Sequence, residues 1–199
     1  MSEPSSRGLH RFRMILWSLV VVAAIAATAV FFLRPPTGPL AVTGTPFALN
    51  STQGGTFTEA SLRGTPSLVF FGYTFCPDVC PTTLAESVAW KEALGIEQNE
   101  LRTIFITVDP ERDTQEVLTG YLSGFDPSVL GLVGDAEQTE AAKKAFGAFS
   151  QKASDDEFYL VDHTASVYLI GADGQFKGTI AYGEAMETAL GKIRRLVGA

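Results

Sequence analysis

The chain has 199 residues, 46% of them apolar, with a formal net charge of −7. That composition supplies one packed domain and leaves length for one smaller piece. The first 34 residues hold four basic residues and one acid, so the remainder carries 11 basic against 21 acidic residues, a net charge of −10, which argues against nucleic acid as a partner.

The smaller piece is residues 14 to 33, MILWSLVVVAAIAATAVFFL, twenty residues without a charge. As a helix this run is about 30 Å long and matches a bilayer core. Arg7, Arg11 and Arg13 precede it against the single acid Glu3, so residues 1–13 are expected as a cytoplasmic tail and the domain on the far side of the membrane. Ala27, Thr28 and Ala29 offer a signal-peptidase-like site, but the apolar run continues through Leu33, longer than a cleaved signal requires. An uncleaved anchor at 14–33 is the favoured reading, and both readings export the domain.

Residues 34–45, RPPTGPLAVTGT, lack periodicity and are expected as an extended tether to a domain at 46–199. Phe47 to Asn50 and Thr56 to Thr58 flank Gly54 and Gly55, a hairpin signal. Then come an apolar strand at Ser67 to Tyr73, a helix from about Thr82 to Leu94, a strand at Thr103 to Val108 and a helix from Thr114. Asp113 with Glu116, and Asp135 with Gln138, have the spacing of reciprocal caps, with a short strand at Val129 to Val133 between them. The second of these helices ends near Phe149, and residues 150–163, SQKASDDEFYLVDH, interrupt the pattern as a long irregular connection. A terminal hairpin, Ala165 to Ile170 with Phe176 to Ala181, and a helix at Glu184 to Val197 complete the chain. This α/β order resembles a thioredoxin-like domain.

The string FFGYTFCPDVCP contains both cysteines of the chain, Cys76 and Cys80. A strand that delivers them to a helix N-terminus places sulfur near unpaired N–H groups that stabilise a thiolate. Pro81 suits a first helical turn and disfavours helical φ/ψ at the residue before it, so the regular helix is expected from Pro81 with the cysteines looping ahead. Two such sulfurs can form a disulfide, attack as a thiolate or hold a soft metal. Three intervening residues leave more room than C-x-x-C, which favours an inserted ion.

His10 lies in the tail, so His163 is the imidazole available to the domain. In a thioredoxin-like topology the start of the strand after it faces the cysteine loop. Two thiolates and one imidazole suit Cu(I), tolerate Cu(II), and fall one ligand short of a closed structural zinc site. Asp78 and Asp162 are candidates to orient these ligands by hydrogen bonding from behind, and equally candidates for ordinary turn formation. Asp109, in VDPERDT, is a further neighbour at a strand end.

CPDVCP, the DPERDT segment and YLVDHTASVYLI together resemble the Sco (SenC) family of membrane-anchored copper chaperones, over about residues 45 to 197 and the preceding anchor. The resemblance implies that Cys76, Cys80 and His163 bind one copper ion. It also implies a role in assembling the CuA centre of cytochrome c oxidase, by delivering copper or by reducing cysteines of the oxidase subunit. The implied partners are that subunit, a copper donor and a thiol reductant, at the periplasmic face of a bacterial inner membrane.

A thiol–disulfide oxidoreductase needs the same cysteines without the histidine. Such enzymes carry a proline just before the facing strand, where this chain has Val161, Asp162, His163 and Thr164. A peroxidase has thinner support, since the cysteine loop holds no arginine, and a redox or copper sensor would use the same reversible chemistry.

Overall fold

A computed structural model describes residues 6–33, 39–97, 99–154, 156 and 158–198. Contacts divide the chain into two units, Met1–Thr37 and Gly38–Ala199.

The first unit is helix α1 (Ser6–Leu33), which extends the expected anchor back through residues 6–13 of the expected tail; residues 1–5 lie outside the described residues. Its stretch His10–Val30 is long and apolar enough to cross a membrane. The hydroxyls of Ser18 and Thr28 donate to the carbonyls of Met14 and Ala24, at 2.9 and 2.8 Å. These two hydroxyls are thereby satisfied within the helix, as a hydrocarbon environment would require.

The second unit contains, in order, β1 (Ala48–Ser51), β2 (Thr56–Thr58), a 3-10 turn (Glu59–Leu62), β3 (Ser67–Gly72), α2 (Val79–Leu94), β4 (Arg102–Thr107), α3 (Gln115–Ser123), β5 (Leu130–Val133), α4 (Ala136–Phe146), β6 (Ser150–Lys152), β7 (Val161–His163), β8 (Val167–Ile170), β9 (Phe176–Ile180) and α5 (Met186–Val197). One sheet has the order β2-β1-β5-β4-β3-β8-β9. Strands β3, β4 and β5 run parallel, whereas β8 and β9 add antiparallel on one side and β1 and β2 on the other. This is the thioredoxin-like arrangement expected from the element order.

Burial explains the interior position of β3. All six of its residues are buried, the continuous apolar run that a strand covered on both faces requires. Successive side chains point to opposite faces: Phe70 packs on Phe105, which meets Tyr121 of α3, while Phe71 meets Phe146 of α4. Helices therefore cover both sides of the sheet.

The Asp135–Gln138 box caps α4 as expected, with reciprocal bonds of 2.8 and 2.9 Å. At α3 the cap moves by one residue: the Thr114 hydroxyl accepts from Val117 N–H, and Asp113 is fully buried instead. Helix α2 starts at Val79, two residues before Pro81. The proline stands in the first turn, where its missing N–H leaves no intrahelical bond unmade, and Cys80 is helical rather than in the loop.

Residues 34–38 of the expected tether lie outside the described residues. Its remainder is bound to the domain: Ala41 N–H donates to Gly174 and Phe176 N–H to Ala41, at 2.9 and 3.0 Å, while Val42 and Thr43 donate to the Ala145 carbonyl. The segment expected as irregular holds a two-stranded ribbon, in which Ser150, Gln151 and Lys152 of β6 pair with His163, Asp162 and Val161 of β7. Among the described residues this ribbon is separate from the main sheet.

Candidate metal centre

The end of β3 and the start of α2 set the two sulfurs at different depths. Cys80, in the first turn of α2, is wholly buried, and Cys76, in the preceding loop, is partly exposed. Gly72 makes the close approach possible, because a Cβ there would lie 2.7 Å from the Cys80 sulfur and 2.8 Å from the Phe105 ring. The Cys80 N–H donates to the Cys76 sulfur at 3.4 Å, one of the unpaired amides that a helix N-terminus offers. Both cysteines are free thiols.

His163 ends β7 and reaches across to them. Its Nε2 lies 3.4 Å from the Cys80 sulfur and 4.0 Å from the Cys76 sulfur. Its Nδ1 donates to the Thr164 carbonyl at 3.1 Å. A carbonyl can only accept, so Nδ1 carries a proton, and Nε2 is the ring atom that faces the sulfurs. Phe70 and Tyr73 hold the ring edge-on, with centroids at 5.9 and 5.7 Å. The Tyr73 hydroxyl also accepts from Val161 N–H at 3.2 Å.

The electrostatics of the sulfur pair are unequal. The hydrogen bond from Cys80, with further help from His163 and the backbone N–H groups of Asp78 and Cys80, outweighs burial and brings the Cys76 thiol down to about 4. Donating that bond, and burial, push the Cys80 thiol above its ordinary range. Near neutrality the metal-free pair thus holds one thiolate, on the outer sulfur, and one proton.

The three ligand atoms lie within 4.8 Å of one another. Bonds of about 2.0–2.3 Å from one ion to nitrogen and sulfur place three such donors roughly 3.5–4 Å apart, so the cluster fits a soft cation with small adjustments.

The aspartates expected nearby have other duties. Asp78 is exposed, with Tyr182 donating to it at 3.4 Å, and it stands at the N-cap of α2 without a side-chain cap bond. Asp162 is exposed too, and the backbone of Thr164 takes the orienting role on the imidazole proposed for it. Asp109 is buried, accepting from the Tyr159 hydroxyl at 2.7 Å and from Arg112 Nε. Sequence reasoning missed Asp113 as a support of the site: it accepts from the Thr74 N–H at 3.1 Å, from the Thr74 hydroxyl, and from the Thr107 hydroxyl at 2.6 Å. The DPERDT string marked the neighbourhood but not these partners.

A family model described as SCO1/SenC matches residues 36–198. The chain is 36% identical over 158 residues to the mitochondrial protein SCO2 of Saccharomyces cerevisiae, covering 77% of this chain and 52% of that protein. It is 38% identical over 136 residues to an SCO2-like protein of Rickettsia prowazekii, covering 67% of this chain and 66% of that one. The chain therefore spans about half the length of the yeast relative. Among solved structures, ScoI of Bradyrhizobium japonicum with copper bound is 40% identical with a TM-score of 0.69, covering 76% of this chain and 97% of that one. Yeast Sco1 with copper bound is 34% identical with a TM-score of 0.71, covering 81% and 90%.

Proposed function

Because the chain belongs to the SCO1/SenC family, we propose that its domain binds one copper ion through Cys76, Cys80 and His163 and passes it on during assembly of the CuA centre of cytochrome c oxidase. The observation that carries this reading is the convergence of two soft sulfurs and an imidazole nitrogen within 4.8 Å, supported by two relatives of the same fold solved with copper bound.

The thiolates set the affinity and the imidazole completes a three-donor shell. Such a shell has an open face, so a thiolate of the recipient subunit binds before a donor ligand leaves, and no free ion forms. A disulfide between Cys76 and Cys80 removes both thiolate ligands, so loading depends on an external reductant and copper on a donor. The apolar part of α1, the expected span 14–33, is the anchor. Arg7, Arg11 and Arg13 at the start of α1 support the reading that the N-terminus is in the cytoplasm of a bacterium and the domain in the periplasm.

Copper titration of the full-length reduced protein in detergent tests the proposal. One equivalent should bind to the wild type, weakly or not at all to Cys76→Ser, and not to the oxidised protein. Equal binding by oxidised and reduced protein would overturn it.

A second reading, reduction of cysteines on the oxidase subunit or another exported protein, is favoured by one specific feature: the partly exposed outer sulfur is lowered to about 4 and so stands as a thiolate at neutral pH, the form that attacks a disulfide.

A further inference from the structure

The imidazole of the proposed copper site rides on a ribbon of three residue pairs outside the main sheet. A two-stranded ribbon has little stability of its own, so whatever docks it onto the domain decides where His163 stands relative to the sulfurs. The backbone bond at the ribbon's base, from Thr164 N–H to the Phe149 carbonyl at 3.0 Å, continues the ribbon's own pairing and does not tie it to the domain. Side chains supply the docking: the Tyr73 hydroxyl accepts from Val161 N–H at 3.2 Å and Lys152 pairs with Glu111 at 2.6 Å, and the contacts that also reach the cysteine loop gather on Arg112.

Arg112 belongs to the short connection between β4 and α3. Its Nη1 donates to the Tyr159 carbonyl at 3.0 Å, and its guanidinium carbon lies 3.6 Å from the centroid of the Tyr159 ring. Phe75, the neighbour of Cys76, lies 4.8 Å from the same carbon, and Tyr73, which flanks the imidazole, 5.8 Å. Asp109 closes the arrangement by accepting from both Arg112 Nε and the Tyr159 hydroxyl. Nη2 is buried without a hydrogen-bond partner, so the surrounding ring faces must offset its desolvation through cation–π attraction. A planar, weakly hydrated cation with a fixed fork of donors suits this place, and a lysine would satisfy neither the fork nor the stack.

We propose that Arg112 is a positioning residue for the copper site: by joining the Phe75 side of the cysteine loop to Tyr159 of the chain leading into β7, it holds His163 over the sulfur pair. The inference rests on the copper reading above and adds the device that makes the third ligand available.

A double-substitution cycle on the full-length reduced protein tests it. Arg112→Ala should weaken Cu(I) binding by about 10- to 100-fold, the usual effect of removing a group that orients a metal ligand. In a His163→Ala background the same substitution should have no further effect, because no imidazole is left to position. Arg112→Lys should behave like Arg112→Ala despite its retained charge, and carries the cycle if the alanine variant loses cooperative unfolding. In the metal-free protein, NMR contacts between the His163 and Tyr73 rings should be present in the wild type and lost in both Arg112 variants. Wild-type affinity in Arg112→Lys, an equal loss with and without His163, or retained ring contacts would overturn the inference. A wild type that binds no copper would instead overturn the copper reading, and the ring contacts would still decide whether Arg112 positions His163.

Discussion

The Thr164 carbonyl accepts the Nδ1 proton of His163 at 3.1 Å and thereby aims Nε2 at two sulfurs 3.4 and 4.0 Å away. The residue next in sequence fixes the orientation of the ring, so Nε2 faces the cysteines before any metal arrives. The orienting bond comes from the backbone, while the hydroxyl of the same residue accepts from Phe149 N–H at 2.9 Å.

Removing the imidazole should separate metal binding from thiol chemistry. His163→Ala is expected to lower Cu(I) affinity by at least about tenfold while the rate at which reduced protein exchanges with a small disulfide changes little. Competition with a chromophoric copper chelator and a disulfide-exchange assay on the same preparation measure the two. Parallel loss of both activities would refute the separation.

The outer thiol should stay reactive in mild acid. With Cys76 lowered to about 4, alkylation of reduced, metal-free protein is expected to be level across neutral pH and to fall only as pH approaches about 4. The linkage sign follows: a thiol depressed in the folded state contributes stability that is complete above its ordinary value of 9.0 and lost as pH falls through about 4. Cys80, shifted upward, contributes in the opposite sense and loses its share as pH rises past that ordinary value. Peptide mapping of the alkylated product against pH is the check, and a rate climbing steeply only near the ordinary thiol range would contradict it.

Gly72→Ala should disturb the site from beneath. The new methyl would lie 2.7 Å from the Cys80 sulfur and 2.8 Å from Phe105, and neither can retreat within a filled core. Overpacking of this kind destabilises by about 1–3 kcal/mol. Urea unfolding should show that loss together with weaker copper binding, and wild-type values in both would show that the core yields without strain.

Asp113→Ala should loosen the cysteine loop. Burial raises this carboxyl above its usual range, yet it accepts from Thr74 and Thr107, joining the loop's first residues to the end of β4. Leaving those buried donors unpaired should lower stability by about 2–3 kcal/mol and speed alkylation of Cys80. Denaturant unfolding and mass spectrometry of the labelled cysteines provide the measurements.

The sequence announced its long, periodic and punctuated elements well. The apolar run of β3, the Asp135–Gln138 cap and the Gly54–Gly55 hairpin carry local signals strong enough to read directly, and the three proposed ligands follow from their scarcity and from the strand order. Asp113 shows where reading stops. Its spacing to Glu116 has the form of a cap, but the buried hydroxyl of Thr107 at the end of β4 and the hydroxyl of Thr74 in the cysteine loop claim its oxygens. The Arg112–Tyr159 stack joins residues 47 positions apart, and β6 and β7 are three residues each, too short to show a period. Pairings of that kind are decided by tertiary contact alone.

The unequal depth of the two sulfurs gives the site a front and a back. Any visiting nucleophile or acceptor meets Cys76 alone, since Cys80 has no accessible surface. Arrival and departure at this centre must therefore share one gateway, and the inner cysteine acts only after the outer one has been engaged.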